Sequence, residues 1–174
     1  MKYGIEVEMI HQHGYLTSDQ LSFYKKKLGD SCGLGNVDSN SSVDDWSLGR
    51  DANNLIELRS PVFAEFNFPL WKRIIEFLHK DCYTSPSCGI HIHFSDIVLS
   101  EEQLNSLKKR MWTIGKPKPN RRHFCNKGGY HPKYQAVSRI VDNHYECRVF
   151  NSCLNVHGIH NMWKQLNKEL NVLS

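Results

Sequence analysis

The chain has 174 residues, of which 40% are hydrophobic and 23% are charged, and its formal net charge is +4. Length and composition predict one globular domain over residues 1–174. They exclude a membrane-spanning chain, because no apolar run approaches the length of about 18 residues that a span needs. The small positive charge is compatible with a phosphate-bearing partner without requiring one.

The N-terminus and the cysteines indicate the cellular compartment. Residues 1–6 contain no apolar signal-peptide core, so we expect a cytoplasmic protein. The six cysteines are dispersed and form no C-x-x-C pair, which argues against a zinc ribbon. Without an export signal, we expect free thiols rather than disulfides.

Two hydrophobic patterns alternate along the chain and predict its secondary structure. Apolar residues at every second position predict strands, at residues 3–10, 55–61, 88–95, 134–141 and 145–150. Apolar residues at helical spacing predict helices, at residues 17–29, 67–80, from Ser100 onward and in the C-terminal segment. Capping boxes at Thr17 and Ser100 support two helix starts, and Gly29 is the predicted end of the first helix. Loops or turns are predicted between these elements, at residues 29–42, 49–54 and 81–87.

Four of the strands carry ionisable side chains on the face opposite their apolar row. These side chains are Glu6, Glu8, Glu57, Arg59, His91, His93, Glu146 and Arg148. Antiparallel sheets often have one solvated face, and that interpretation stays open. However, glutamates clustered on one face beside two histidines repel one another unless a cation neutralises their charge. We therefore favour a metal site. The remaining histidines, His144 among them, show no ligand spacing and are interpreted as surface or cap residues.

The donor chemistry indicates which metal such a site would hold. Carboxylate-rich sites suit Mg²⁺ or Mn²⁺, whereas histidines alone would allow Zn²⁺ or Fe²⁺, so the glutamates favour Mg²⁺ or Mn²⁺. Because Mg²⁺ keeps phosphate in its shell, we expect a nucleoside triphosphate beside it, held by Arg59, Arg148 and the basic loop 115–133. For that loop a solvated surface and a nucleic-acid contact are alternatives, although no nucleic-acid-binding pattern accompanies it.

Five short motifs then occur in a specific order. They are G-I-E-V-E at 4–8, D-W-S-L at 45–48, E-L-R-S-P at 57–61, S-C-G-I-H-I-H-F-S at 87–95 and Y-E-C-R-V-F at 145–150. Together they resemble the amidoligase family, a group of carboxylate–amine ligases related to glutamine synthetase and glutamate–cysteine ligase. The motifs span nearly the whole chain, and their order is more specific than any one of them.

The resemblance implies an α+β fold, in a compact version of the glutamine synthetase-like architecture. A curved, mostly antiparallel sheet would hold metal and ATP on its concave face, with helices packed on the convex face. The chain is short for the family. We therefore leave open a homo-oligomer or a partner subunit that completes the site.

The resemblance also implies residue roles. The implied metal ligands are Glu6, Glu8, Glu57, His91 and Glu146. The implied nucleotide contacts are His91, His93, Arg148 and one of Arg121 and Arg122. The implied catalytic residues are Arg148 and, as a contact to the substrate amine, Asp45; Arg59 is a further catalytic candidate because it lies on the same polar face and can hold phosphate. The cofactors would be ATP and Mg²⁺ or Mn²⁺.

The implied reaction is amide-bond formation. ATP would phosphorylate a small-molecule or peptide carboxylate to an acyl phosphate, which an amine then attacks. Two alternatives stay open: a zinc-dependent hydrolase that uses His91, His93 and Glu8, and a non-catalytic nucleotide-binding protein on the same scaffold. We expect no membrane partner and no nucleic acid.

Overall fold

The computed structural model describes residues 1–35, 37, 44–50, 55–116 and 135–173. Within these ranges the chain forms seven strands and four helices. In chain order they are β1 (Lys2–His11), α1 (Ser18–Cys32), β2 (Ser47–Arg50), β3 (Ile56–Arg59), α2 (Phe68–Leu78), β4 (Cys82–Tyr83), β5 (Gly89–Ser95), α3 (Glu101–Gly115), β6 (Val137–Val141), β7 (His144–Asn151) and α4 (Val156–Asn171).

The strands form one open sheet in the order β2-β3-β1-β5-β7-β6, and the short β4 pairs with the end of β1. Every described strand pairing is antiparallel. Consecutive strands such as β6 and β7 are neighbours, whereas β1 lies between β3 and β5 and so joins distant parts of the chain. The α+β class with a mostly antiparallel sheet is confirmed.

One face of the sheet packs against the helices. The apolar residues of β1 and β5, such as Val7 and Ile92, are fully buried and share one core cluster with the apolar stripes of α2, α3 and α4. Trp71 on α2 and Leu107 on α3 are among the buried helix residues. Because successive strand residues point to opposite faces, this core directs the glutamates and histidines of the same strands to the other face. None of the helices in the described part of the chain combines the length and apolarity that a bilayer crossing requires.

Helix α1 begins at the predicted capping box but ends later than predicted. Gln20 donates its backbone N–H to Oγ1 of Thr17 at 3.3 Å, and Thr17 donates its own backbone N–H to Gln20 Oε1 at 2.8 Å. The predicted stop at Gly29 is wrong, because the helix continues to Cys32 and the left-handed residue is Gly33, with φ of 67°. A Cβ at Gly29 would lie 2.7 Å from the carbonyl oxygen of Gly35, so this glycine permits a close backbone approach.

The capping box gives a direct stability prediction. We expect Thr17→Ala to lower the free energy of unfolding by about 1 kcal/mol, because the N–H of Gln20 loses its acceptor. Thr17→Ser keeps a hydroxyl and is expected to keep most of that stability. Urea unfolding of the two variants measures the difference, and equal midpoints would show that the cap does not stabilise α1.

Three predictions about the strands are wrong in detail. Gly49 and Arg50 lie in β2, paired with β3, where a turn was predicted. The short β4 lies within residues 81–87, which were predicted to be a turn. The alternation in β7 places Phe150 with the polar side chains, but Phe150 pairs with Ile90 and is buried in the core. A register shift between β5 and β7 causes this reversal, because β7 has one extra residue between two of the pairs.

Candidate metal centre

The strand register brings the predicted polar residues together. On β1, Glu6 lies opposite Arg59 of β3 and His91 of β5, and Glu8 lies opposite Glu57. Directly opposed side chains have their Cβ atoms about 5 Å apart, so charges on four strands become neighbours. We call the resulting set the carboxylate–histidine cluster. Its members are Glu6, Glu8, Glu57, Glu146, His91, His93, Arg59 and Arg148.

Glu6 is the centre of this cluster. His91 Nδ1 donates to its Oε2 at 3.1 Å, and His93 Nε2 and Arg59 Nε each lie 3.2 Å from its Oε1. Burial alone would raise the pKa of Glu6, but hydrogen bonds and charge interactions with the two histidines outweigh it and hold the pKa well below its usual range. Glu6 is therefore a carboxylate at neutral pH.

Glu146 is the most deeply buried carboxylate of the cluster, with 1% of its surface exposed. Its Oε1 lies 2.7 Å from Arg148 Nη2, so the two side chains form an ion pair. The same oxygen lies 3.4 Å from His91 Nδ1 and 3.7 Å from His93 Nε2. Glu146 thus joins both histidines to Arg148.

Glu8 and Glu57 are engaged by groups of the protein itself. Glu8 Oε2 accepts a hydrogen bond from the backbone N–H of Gly89, the first residue of β5, and its Oε1 lies 3.5 Å from His91 Nε2. Glu57 Oε2 accepts a hydrogen bond from Arg59 Nη2. Both carboxylates are buried, so these contacts offset their loss of water.

Two groups of donor atoms within the cluster could surround a metal ion. One contains Glu6, His93 and Glu146, and the other contains Glu6, Glu57 and His91. Within each group the donor atoms lie within 4.8 Å of one another. Glu6 belongs to both. Glu8, an expected ligand, belongs to neither, so its predicted role as a ligand stays a prediction.

The donor separations in the first group fit a cation. His93 Nε2 and Glu146 Oε1 are both buried, and their nearest charged neighbours are Glu6 and Arg148, so a cation would share these donors with groups of the chain. His93 Nε2 lies 3.2 Å from Glu6 Oε1 and 3.7 Å from Glu146 Oε1. Donors in an octahedral Mg²⁺ shell lie about 3 Å apart, close to these separations. A guanidinium contacts the carboxylates of both groups: Arg148 contacts Glu146 in the first, and Arg59 contacts Glu6 and Glu57 in the second.

The charge balance also fits a divalent cation. A histidine that ligates a metal is neutral, and in that state the four carboxylates of the cluster face two guanidinium groups, those of Arg59 and Arg148. Uncompensated charge is costly at buried positions, and one dication would neutralise the excess. Carboxylate oxygens with a single imidazole are donors that Mg²⁺ or Mn²⁺ accepts.

His144 is a neighbour of the cluster that the sequence interpretation missed. Its Nε2 lies 3.0 Å from Nδ1 of His93. The signal was present in the alternation, because positions 144, 146 and 148 fall on one face of β7, but the residue was assigned to a turn. Burial lowers the pKa of His93, yet the hydrogen bond and charge of Glu6 and the charge of Glu146 outweigh this and raise it. Burial, followed by the charge of His93, lowers the pKa of His144.

A groove of about 480 Å³ opens beside the cluster. Its lining includes three cluster residues, Glu6, Arg59 and His93, together with His144. Gly4 lies opposite His93 in the register of β1 and β5, so no side chain stands beside His93 at that position. The groove's volume is in the range of small-molecule sites, about 300–1,000 Å³.

Of three other predicted site residues, one is described and two lie outside the described residues. Asp45 is exposed in the bend before β2, and none of the described ion pairs or hydrogen bonds links it to the cluster. Arg121 and Arg122, with most of the basic loop 115–133, lie outside the described residues. The roles predicted for all three stay predictions.

The fold and the site define a class: an α+β protein whose open antiparallel sheet carries buried carboxylates, imidazoles and guanidinium groups on one face. No family model matches the chain, and no curated protein matches it. The site geometry and the order of the motifs are therefore the features from which the function is inferred.

Proposed function

We propose that this protein is an ATP-dependent carboxylate–amine ligase that uses Mg²⁺ or Mn²⁺. The observation that carries the proposal is the convergence of Glu6, His93 and Glu146, from three strands, on one point of the polar face. The same strands carry the motifs that resemble the amidoligase family. We extend the proposal to the finer fold, a curved glutamine synthetase-like sheet with the helices on its convex face.

The cation would be held by Glu6, His93 and Glu146. The two carboxylates supply the hard oxygen donors that Mg²⁺ prefers, and the imidazole adds one nitrogen. The bound ion would supply positive charge to the phosphates of ATP, which lowers the electrostatic barrier to phosphoryl transfer.

Arg59 is the cluster's candidate for a contact to phosphate. Its side chain is 41% exposed and lines the groove, while its Nε and Nη2 atoms hold Glu6 and Glu57. A guanidinium has five N–H donors, so the N–H groups of Arg59 that do not contact Glu6 or Glu57 can bind an anion in the groove. Arg148, with 14% of its side chain exposed, lies deeper and neutralises Glu146; its predicted role toward phosphate is part of the proposal.

The proposed reaction has two steps. A carboxylate oxygen of the acid substrate attacks the γ-phosphorus of ATP, ADP leaves, and an acyl phosphate forms. The amine nitrogen then attacks the acyl carbon, inorganic phosphate leaves, the nitrogen loses a proton, and the amide remains. The chain's contribution is to bind, to orient and to neutralise charge, because no acyl-enzyme nucleophile is required. The substrate class is a small-molecule or peptide carboxylate and an amine.

The described geometry favours the ligase over the zinc hydrolase. A hydrolytic site built from His91, His93 and Glu8 would need both imidazoles on one ion. Among the described residues, neither donor group contains both histidines. The non-catalytic alternative, a nucleotide-binding protein without turnover, is separated from the ligase only by experiment.

Calorimetry with ATP, in the presence and absence of Mg²⁺, tests this proposal. We expect ATP to bind with Mg²⁺ and to bind far more weakly with EDTA. Addition of a mixture of carboxylates and amines should then release ADP, measured by a coupled assay. Binding without ADP release would favour the non-catalytic protein, and no Mg²⁺-dependent binding at all would contradict the ligase.

A further inference from the structure

The two ring nitrogens of His93 have different surroundings. Nε2 points at the carboxylates of Glu6 and Glu146, at 3.2 and 3.7 Å. Nδ1 lies 3.0 Å from Nε2 of His144, a hydrogen-bond distance between two imidazoles. His144 is the first residue of β7 and is half-buried, so its ring is held at the rim of the groove.

This geometry fixes where the protons must lie when a cation is bound. A metal ligand presents a lone pair, so a cation between Glu6 and Glu146 requires His93 to carry its proton on Nδ1 rather than on Nε2. That proton then points at His144 Nε2, which must present a lone pair to accept it. His144 accordingly carries its own proton on Nδ1.

We propose that His144 is a positioning residue that fixes the ring orientation and tautomer of His93, so that Nε2 of His93 faces the cation held by Glu6 and Glu146. The inference rests on the proposed metal site and names a residue that the motif pattern does not include. The neighbours of a metal-bound imidazole contribute to affinity because they hold the ring and raise its basicity.

A matched pair of variants separates hydrogen bonding from packing. His144→Leu fills a similar volume without an acceptor, whereas His144→Gln places an amide oxygen where it can accept the proton of His93 Nδ1. His79→Leu is the control, because His79 is exposed at the end of α2. Mn²⁺ is the probe, and titration followed by the electron paramagnetic resonance signal of free Mn²⁺ gives its dissociation constant.

We expect His144→Leu to weaken Mn²⁺ binding by about 10- to 100-fold, the usual effect of removing the partner of a metal-bound histidine. His144→Gln should restore most of the affinity, and His79→Leu should bind as the wild type does. Ring nitrogen NMR of the wild-type protein with Mg²⁺ should show His93 protonated on Nδ1.

Each contrary result has a distinct meaning. Wild-type affinity in His144→Leu, or equal weakening in His144→Gln and His144→Leu, overturns the role of His144 and leaves the metal site intact. A wild-type chain that binds no Mn²⁺ overturns the metal site and this inference with it. If His144→Leu does not fold, the NMR measurement decides, since a proton on Nε2 of metal-loaded His93 contradicts the proposal.

Discussion

Replacing Glu6 with glutamine is expected to weaken Mn²⁺ binding by more than roughly 100-fold. Loss of a residue that only hydrogen-bonds a metal ligand costs up to roughly 100-fold, and Glu6 is proposed as a ligand itself. Among the described residues, Glu6 supplies a donor to both possible metal groups, so its loss leaves neither group complete. Glutamine preserves the shape of the side chain but lacks the negative charge that draws the cation. The Mg²⁺-dependent binding of ATP should disappear with the metal.

Glu65→Gln is the matched control for this experiment. Glu65 is exposed and lies in the loop before α2, so the same change of charge there should leave Mn²⁺ affinity unaltered. Thermal unfolding of both variants checks that the protein remains folded. If Glu6→Gln binds Mn²⁺ as tightly as Glu65→Gln does, the cation site is not on this face of the sheet.

Replacing Arg148 with methionine is expected to lower the free energy of unfolding by about 3–5 kcal/mol. The side chains of Arg148 and Glu146 are 14% and 2% exposed, so both charges are largely removed from water. Removing the guanidinium leaves the buried negative charge of Glu146 without its nearest positive charge. Removing one partner of a buried ion pair destabilises a protein more than replacing both partners. Urea unfolding measures the loss.

The double variant Glu146→Gln with Arg148→Met should recover most of this stability, because the unpaired charge is then absent. Lys72→Met provides the comparison: Lys72 and Glu76 form a pair at 3.8 Å with side chains 58% and 63% exposed. Breaking that surface pair should cost about 1 kcal/mol or less. Equal losses for Arg148→Met and Lys72→Met would show that Glu146 does not depend on Arg148.

The faces of the strands could be predicted from the sequence because alternation is a local property. Ile5 and Ile92 are buried, and Glu6 and His91 lie together on the opposite face, as the period of two predicts. The capping boxes are equally local, and both form. Patterns of this kind depend on a few neighbouring residues, so the folded structure retains them.

Convergence of the site could not be derived from alternation alone. Glu6 and His91 are 85 positions apart, and only the order of strands, with β1 between β3 and β5, makes them neighbours. The order of the motifs suggested that they meet, through a resemblance rather than through a physical rule. Strand order depends on long-range pairing, which a local pattern does not encode.

The remaining errors have physical causes at single positions. In β7 the extra residue reverses the alternation after Arg148, so Phe150 enters the core, and periodicity carries no sign of such a bulge. The sequence predicts a helix stop at Gly29, but the conformational freedom of this glycine is not used there; its missing Cβ makes room for Gly35. His144 follows turn residues in sequence, which concealed its place on the polar face.

Crystals grown with Mn²⁺ and measured for anomalous scattering test the central claim most directly. We predict one anomalous peak on the polar face of the sheet, within bonding distance of Glu6, His93 and Glu146, with His144 beside His93. A map with no peak at these residues, or with the ion bound to a different set of side chains, would contradict it.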